Sequence, residues 1–409
     1  MAVRSPLDGI AAMSTVAQSP ERVPTGLQRA AMVVFCVVAG LLVVWSGLDR
    51  LSRQRPDLAR FVPGAFAANA YRASAGELAR RGDYAAAERE ARKAVASSPL
   101  VPLSTALLGT ARLGKYDLEG AERAFLVSGQ LGWRTAVTQL YWFERALELG
   151  DYRVAALRLD ALLRQSPGLA GDDRLIAMLE RSPEGREALA GRMTDSAVWL
   201  QRYARDIHAL DPDRIAVRAD VLNRRKGALG CVDSGPLATA LVATGQVGAA
   251  HAFWMKQCPR SSRGLLADAG FSGLRTQQAN SPFEWIVFSH GDVSASLRGG
   301  SGTESPRLVI TSSASFVRKV IQQMVVLPPG AYRLSWSARN ELGELHPNIL
   351  ASASCSADSR EWLPAEAAGD RFQADFTVDG RCPGLWVAFA IAPGRETISF
   401  GDLRLVRLD

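Results

Sequence analysis

Five cysteines and four histidines carry most of the chain's capacity for covalent or metal chemistry, and their spacing restricts it sharply. His208, His251, His290 and His346 stand apart, and none falls in H-E-x-x-H or H-x-E. There is no G-x-S-x-G elbow, Walker loop or dinucleotide fingerprint. Gly299-Gly300-Ser301-Gly302 reads as a flexible loop, and the carboxylates Glu341 and Glu344 do not by spacing alone define a glycosidase pair. No catalytic residue, metal site or cofactor is therefore expected. The cysteines say more. Cys36 lies in an apolar run, while Cys231 with Cys258 and Cys355 with Cys382 form two pairs, one in each of two later regions. With no C-x-x-C, zinc and redox motifs are removed, and two disulfides made in an oxidising compartment are the expectation.

These residues must be positioned by more than one core, because 409 residues exceed a single compact domain. The expected division is a flexible tail over 1–29, a membrane helix over 30–48, a linker over 49–66, a helical domain over 67–262 and a β domain over 263–409. Residues 30–48 contain no charge, and about 28 Å of helix matches a bilayer core. Arg29 and Asp49 bracket the run, and Trp45 sits at an interfacial position. A secretory signal has a shorter apolar region, and the small-x-small site Ala65-Phe66-Ala67 lies too far downstream. Arg50, Arg53, Arg55 and Arg60 after the run favour a cytoplasmic body, whereas the cysteine pairs favour the periplasmic face of a bacterial inner membrane, which is the expected side. Net charge is +7, yet the arginines are interleaved with acids (Arg80, Arg81, Arg89 and Arg92 among Glu77, Asp83, Glu88 and Glu90), so no nucleic-acid partner is expected.

The stretch after the linker repeats itself. Gly82-Asp83-Tyr84 recurs 68 residues later, twice 34, as Gly150-Asp151-Tyr152; Ala87 and Ala155, and Pro99 and Pro167, share that offset. Ala121-Glu122-Arg123 copies Ala87-Glu88-Arg89 at 34, with the middle turn starting early at Gly114-Lys115-Tyr116. Three units of helix, turn and helix resemble the tetratricopeptide repeat family. The resemblance implies an α-solenoid with a groove for protein partners, with Arg72, Arg112 and Arg145 as first-helix surface candidates. Further helices are predicted over 175–179, 186–192, 197–210 and 214–225. A divergent hairpin over 231–260 would bring Cys231 and Cys258 to the same side.

Near Gly264 the pattern changes to short alternating runs. Tyr332, Leu334, Trp336 and Ala338 alternate with polar residues after the turn Pro328-Pro329-Gly330. Other strands are predicted over 294–297, 307–311, 317–326, 349–355, 372–378, 385–391 and 397–406, an antiparallel sandwich or jelly roll. Phe283-Glu284-Trp285, the Val325-to-Trp336 stretch, Trp362 and the closing ISFGDLRL strand resemble jelly-roll carbohydrate-binding modules. That resemblance implies glycan binding, with Trp285, Trp362 and Trp386 stacking on sugar rings and Asp292, Asn340, Asn348 and Glu361 as polar neighbours. It also implies a structural calcium in such modules, for which Glu284 and Asp402 are the carboxylates to test.

The fold class expected is therefore multidomain, α then β. The function expected is a non-enzymatic, membrane-anchored scaffold in exopolysaccharide assembly or export. The alternatives are a pure protein–protein adaptor capped by its sandwich, and an enzyme acting on glycans.

Overall fold

The computed structural model describes residues 26–132, 134–171, 173–258, 264–274, 279–299 and 305–408. Most of the expected tail and residues 300–304 of the Gly-rich loop lie outside them. A helical N-terminal region with one candidate transmembrane helix is followed by antiparallel β-sheets forming a sandwich. The chain divides into two compact units, Met1–Thr135 and Ala136–Asp409.

In the first unit, α1 (Gly26–Leu51) is the one helix among the described residues long and apolar enough to cross a membrane. Its 26 residues give about 39 Å, longer at both ends than the uncharged run. Residues expected as a linker include two 3-10 turns, Pro56–Phe61 and Gly64–Phe66. Two helix pairs follow: α2 (Ala68–Arg80) with α3 (Tyr84–Ser97), and α4 (Pro102–Gly114) with α5 (Leu118–Leu131).

The 34-residue period continues into the second unit with α6 (Ala136–Glu148) and α7 (Tyr152–Gln165). Asp83, Asp117 and Asp151 stand 34 residues apart, and each caps the second helix of its pair by accepting from a backbone N–H at 2.9–3.0 Å. The middle turn does not start early. Tyr116 occupies the left-handed position of Gly82 and Gly150, with φ of 63° against 83° and 71°, so the register is unbroken. Ala87, Ala121 and Ala155 are fully buried, and a Cβ on Gly109 would meet the Phe125 ring at 2.9 Å, so small residues set the helix spacing.

Glu88 ties the first pair to the second. It accepts from Arg92 on its own helix (2.7 Å), Lys115 (2.6 Å) and Arg112 (3.3 Å). The Lys115 hydrogen bond, with Arg112 and Arg92, holds its carboxyl below the ordinary range. A depressed folded pKa stabilises above the unfolded value, near 4.3, and is lost as pH falls through the folded value. Thermal melts of the full chain should therefore separate wild type from Glu88→Gln at pH 6, and the gap should shrink by pH 3. An equal gap at both values would remove the carboxylate from the account.

The second unit continues with α8 (Asp173–Glu180), α9 (Pro183–Ala190), α10 (Leu200–Arg205), α11 (Pro212–Arg224), α12 (Cys231–Ala243) and α13 (Val247–Gln257). The helix expected over 197–210 is shorter because Trp199 turns its Nε1 to the buried Asp160 (2.9 Å) and the chain leaves the helix at Asp206. Arg218, fully buried, lies 4.4 Å over the Tyr203 ring and pairs with Asp173 at 2.8 Å.

Among the described residues the sandwich has ten strands: β1 (Ile286–Val287), β2 (Val293–Arg298), β3 (Arg307–Ser312), β4 (Arg318–Val325), β5 (Gly330–Arg339), β6 (Ile349–Ser354), β7 (Glu366–Ala368), β8 (Arg371–Val378), β9 (Leu385–Ile391) and β10 (Glu396–Leu408). One sheet has the order β1-β4-β9-β6, the other β2-β3-β10-β5-β8-β7, and every pairing is antiparallel. Tyr332, Leu334, Trp336 and Ala338 enter a core that includes Phe389, Phe400 and Ile398.

The four-stranded sheet is not free on its outer side. Phe283, Met324 and Trp386 pack with Trp254, Val247 and Phe253 of the helical core. A Cβ on Gly384 would meet Val247 at 2.8 Å. Helices and sandwich thus share apolar surface within one unit.

Candidate functional site

The tryptophans expected to stack on sugar lie at three different places in the fold, and none is fully exposed. Trp285 is 3% exposed, wedged against Phe271 (6.1 Å) and Phe389 (6.3 Å), with its Nε1 donating to Asp268 O at 3.2 Å. It presents no face to a ligand, because the apolar strand pattern around it closes over the ring. Trp386 is partly buried at the joint with the helices. Trp362 is also partly buried, on the β6–β7 loop, which runs beside β6 through Leu363 N–H to Ala351 O at 2.8 Å.

Three of the four polar candidates share one end of the sandwich. Strand register places the β1–β2, β3–β4, β5–β6, β7–β8 and β9–β10 loops at one end of the sandwich, and these hold Asp292, Asn340 and Asn348. Glu361, on the β6–β7 loop, is not part of that group. The loops are laced together by backbone bonds: Ser313 N–H to Asp292 O (2.8 Å), Gly394 N–H to Ala314 O (3.0 Å) and Ala392 N–H to Asn348 O (2.9 Å). Four of the five loops are thereby each joined to a neighbour.

On one side of the rim Arg318 donates to both Asp292 oxygens at 2.9–3.1 Å and lies 4.6 Å over the Phe316 ring. That hydrogen bond holds the Asp292 carboxyl below its ordinary range, so it stays an acceptor. His290 Nε2 donates to Lys319 O at 3.0 Å. Phe316 itself is 59% exposed, a large ring held outward by a paired guanidinium. On the other side Asn348 Nδ2 donates to Glu396 (2.5 Å), whose second oxygen lies 3.2 Å from His346 Nε2. His346 Nδ1 is buried without a partner among the described residues. An exposed aromatic face beside fixed donors and acceptors suits a polyhydroxylated ligand. Phe316, His346 and Glu396 were not singled out from sequence; the signal available was an apolar residue in a Ser-rich turn, Ser312-Ser313-Ala314-Ser315-Phe316.

The other named residues have identifiable partners. The Cys231 and Cys258 sulfurs are bonded, with Cα atoms 4.6 Å apart, and those of Cys355 and Cys382 likewise at 5.5 Å. Glu284 lies close to the first pair, but sulfurs joined to each other do not coordinate as thiolates. Glu284 accepts from Asn280 (2.8 and 3.1 Å), whereas Asp402 pairs with Arg307 on the six-stranded sheet. The two carboxylates suggested for calcium therefore have different partners. Arg72 is buried on Asn69 and Ser104, Arg112 bonds Glu88 and Gly120 O, and Arg145 bonds Glu148.

Among the described residues, the chain has one membrane-length helix, a helical body and a β-sandwich with a polar, aromatic-bearing rim. No known family profile matches it, and no curated protein is similar in sequence. Among solved structures it is similar over 36% of its length to a candidate sugar binding protein from Bacteroides thetaiotaomicron, at 12% identity, TM-score 0.28 and all of that chain. TmCBM61 in complex with beta-1,4-galactotriose is similar over the same share, at 15% identity, TM-score 0.26 and all of that chain. The enzymatically active domain of tailspike protein 4 from bacteriophage CBA120 is similar at 10% identity and TM-score 0.25, over 21% of its chain. These likenesses are too distant to carry a ligand from one chain to another.

Proposed function

We propose that the chain is a single-span membrane protein of the bacterial envelope, not an enzyme, whose sandwich rim binds glycan while its helical pairs hold protein partners. The observation that carries the glycan reading is the rim itself, with Phe316 outward and Asp292, Asn348 and Glu396 fixed by their neighbours. The 34-residue spacing of helix starts and Asp caps supports assignment of the pairs to the tetratricopeptide type. The bonded cysteine pairs support a periplasmic body. Retention of α1 is supported by Asp49, which is buried and accepts from the Asn69 and Ala70 backbone N–H groups, each at 2.8 Å. Exopolysaccharide assembly or export is the process we assign by analogy to the pairing of a repeat body with a glycan-binding sandwich.

Titration of the full chain in detergent against a panel of bacterial exopolysaccharides tests the rim. Phe316→Ala should weaken the best binder roughly threefold to tenfold, the value of one aromatic contact. Wild-type silence across the panel would favour the second reading, a protein adaptor capped by its sandwich. The burial of Trp386 at the helix joint favours that reading. Turnover of any polysaccharide would overturn the non-enzymatic reading.

A further inference from the structure

We propose that residues 50–66 form a collar that seats the body on the bilayer by binding anionic phospholipid headgroups; this rests on α1 being a retained span. After Leu51 the chain doubles back along the helix it has just left. Phe66 stacks on Trp45 with ring centroids 5.7 Å apart. Trp45 lies about 9 Å down the axis from Leu51 at the helical rise. Val62, Ala67 and Ala70 pack with Leu48, Ala59 and Phe66, so the return is folded onto the last turns of α1. The segment therefore lies where the uncharged run ends, at the depth of the headgroups.

Its outward surface has two components. Leu51 and Phe61 are 51% and 56% exposed, large apolar groups beside the end of the span. Around them Arg50, Arg53, Arg55 and Arg60 are exposed, with the Arg60 guanidinium 4.7 Å over the Phe61 ring. The carboxylates nearby are occupied. Asp49 is buried on Asn69 and Ala70, and Asp57 pairs with Arg55 at 3.3 Å. Among the described residues no carboxylate pairs with Arg50 or Arg60. Cations without a paired carboxylate, beside an apolar wedge at the end of a span, call for a phosphate-bearing counter-charge in the same plane, and the anionic lipid headgroup supplies it. The exposed Arg60–Phe61 stack keeps one guanidinium at that level rather than extended into water.

The test reconstitutes the full chain in mixed phosphatidylcholine and phosphatidylglycerol vesicles, with bromine on the acyl chains of one lipid at a time. Bromine quenches Trp45 only when the lipid is adjacent. At equal mole fraction, brominated phosphatidylglycerol should quench several times more strongly, and high salt should reduce the difference. Arg50→Gln and Arg60→Gln should each lower the preference roughly fivefold, leaving melting of the body unchanged. Equal quenching by the two lipids in wild type, or an undiminished preference in the double variant, would overturn the collar. Absence of quenching by either lipid would instead overturn the span on which it rests.

Discussion

Asp49→Ala should loosen the first helix pair by about 3 kcal/mol, combining loss of a cap with loss of hydrogen bonds to a buried carboxylate. The residue before α2, Ala67, has no side chain able to cap. Asp49 performs that role from 20 residues earlier, with one oxygen on the Asn69 and Ala70 N–H groups and the other on Asn69 Nδ2 at 2.7 Å. Asn69 Oδ1 in turn accepts from Arg53 and Arg72, both at 2.6 Å. Truncation leaves two helix-start donors buried without an acceptor and removes the negative charge facing two guanidiniums. Asp49→Asn keeps one acceptor oxygen but turns a donor towards Asn69 Nδ2, so its cost should fall between wild type and Ala. Limited proteolysis of the detergent-solubilised chain reads this directly, as faster cleavage between α1 and α2. Cleavage at the wild-type rate would mean that α1 and the body are joined by chain alone.

Reduction of the two disulfides should cost the second unit about 3.5 kcal/mol for each bridge, from the loop entropy released when 27 residues are no longer closed. The first bridge joins the start of α12 to the end of α13, where Gly230 N–H also meets Gln257 O at 2.9 Å. The second links the β6–β7 and β8–β9 loops, at the opposite end of the sandwich from the rim. Calorimetry with and without dithiothreitol should show the loss. Thiol titration of denatured, unreduced protein should then find Cys36 alone reactive. Five reactive thiols would place the body in a reducing compartment.

The elements whose residues repeat locally were legible in the sequence. The strand expected over 385–391 is β9, and that expected over 349–355 is β6 to within a residue. Helix pairs were readable because Gly-Asp-Tyr recurs at 68 residues and Ala-Glu-Arg at 34, although the middle Asp117 went unread. What escaped has no local period. The two-residue β1 exists only through its pairing with Ile321 and Gln322 of β4. Tyr116 in a glycine position is visible only as a backbone angle. The Asp49 cap and the rim depend on residues 20 to more than 100 positions apart, brought together by folding. The resemblance offered Trp285 for stacking, and what covers it is invisible for a related reason: Phe271, which packs against it, comes from a segment without regular structure.

The shared surface between α13 and the four-stranded sheet gives the sandwich an unusual status. A domain that moves between proteins as an interchangeable cassette needs a complete exterior of its own, which water accepts on every side. This one does not have it. Cutting the chain near residue 264 would bare Phe283, Met324 and Trp386 together, an adhesive face on one fragment and its mould on the other. The rim is consequently held at a fixed bearing to the last helices, so a pull or tilt applied there is felt by the rim loops without a swivel between them.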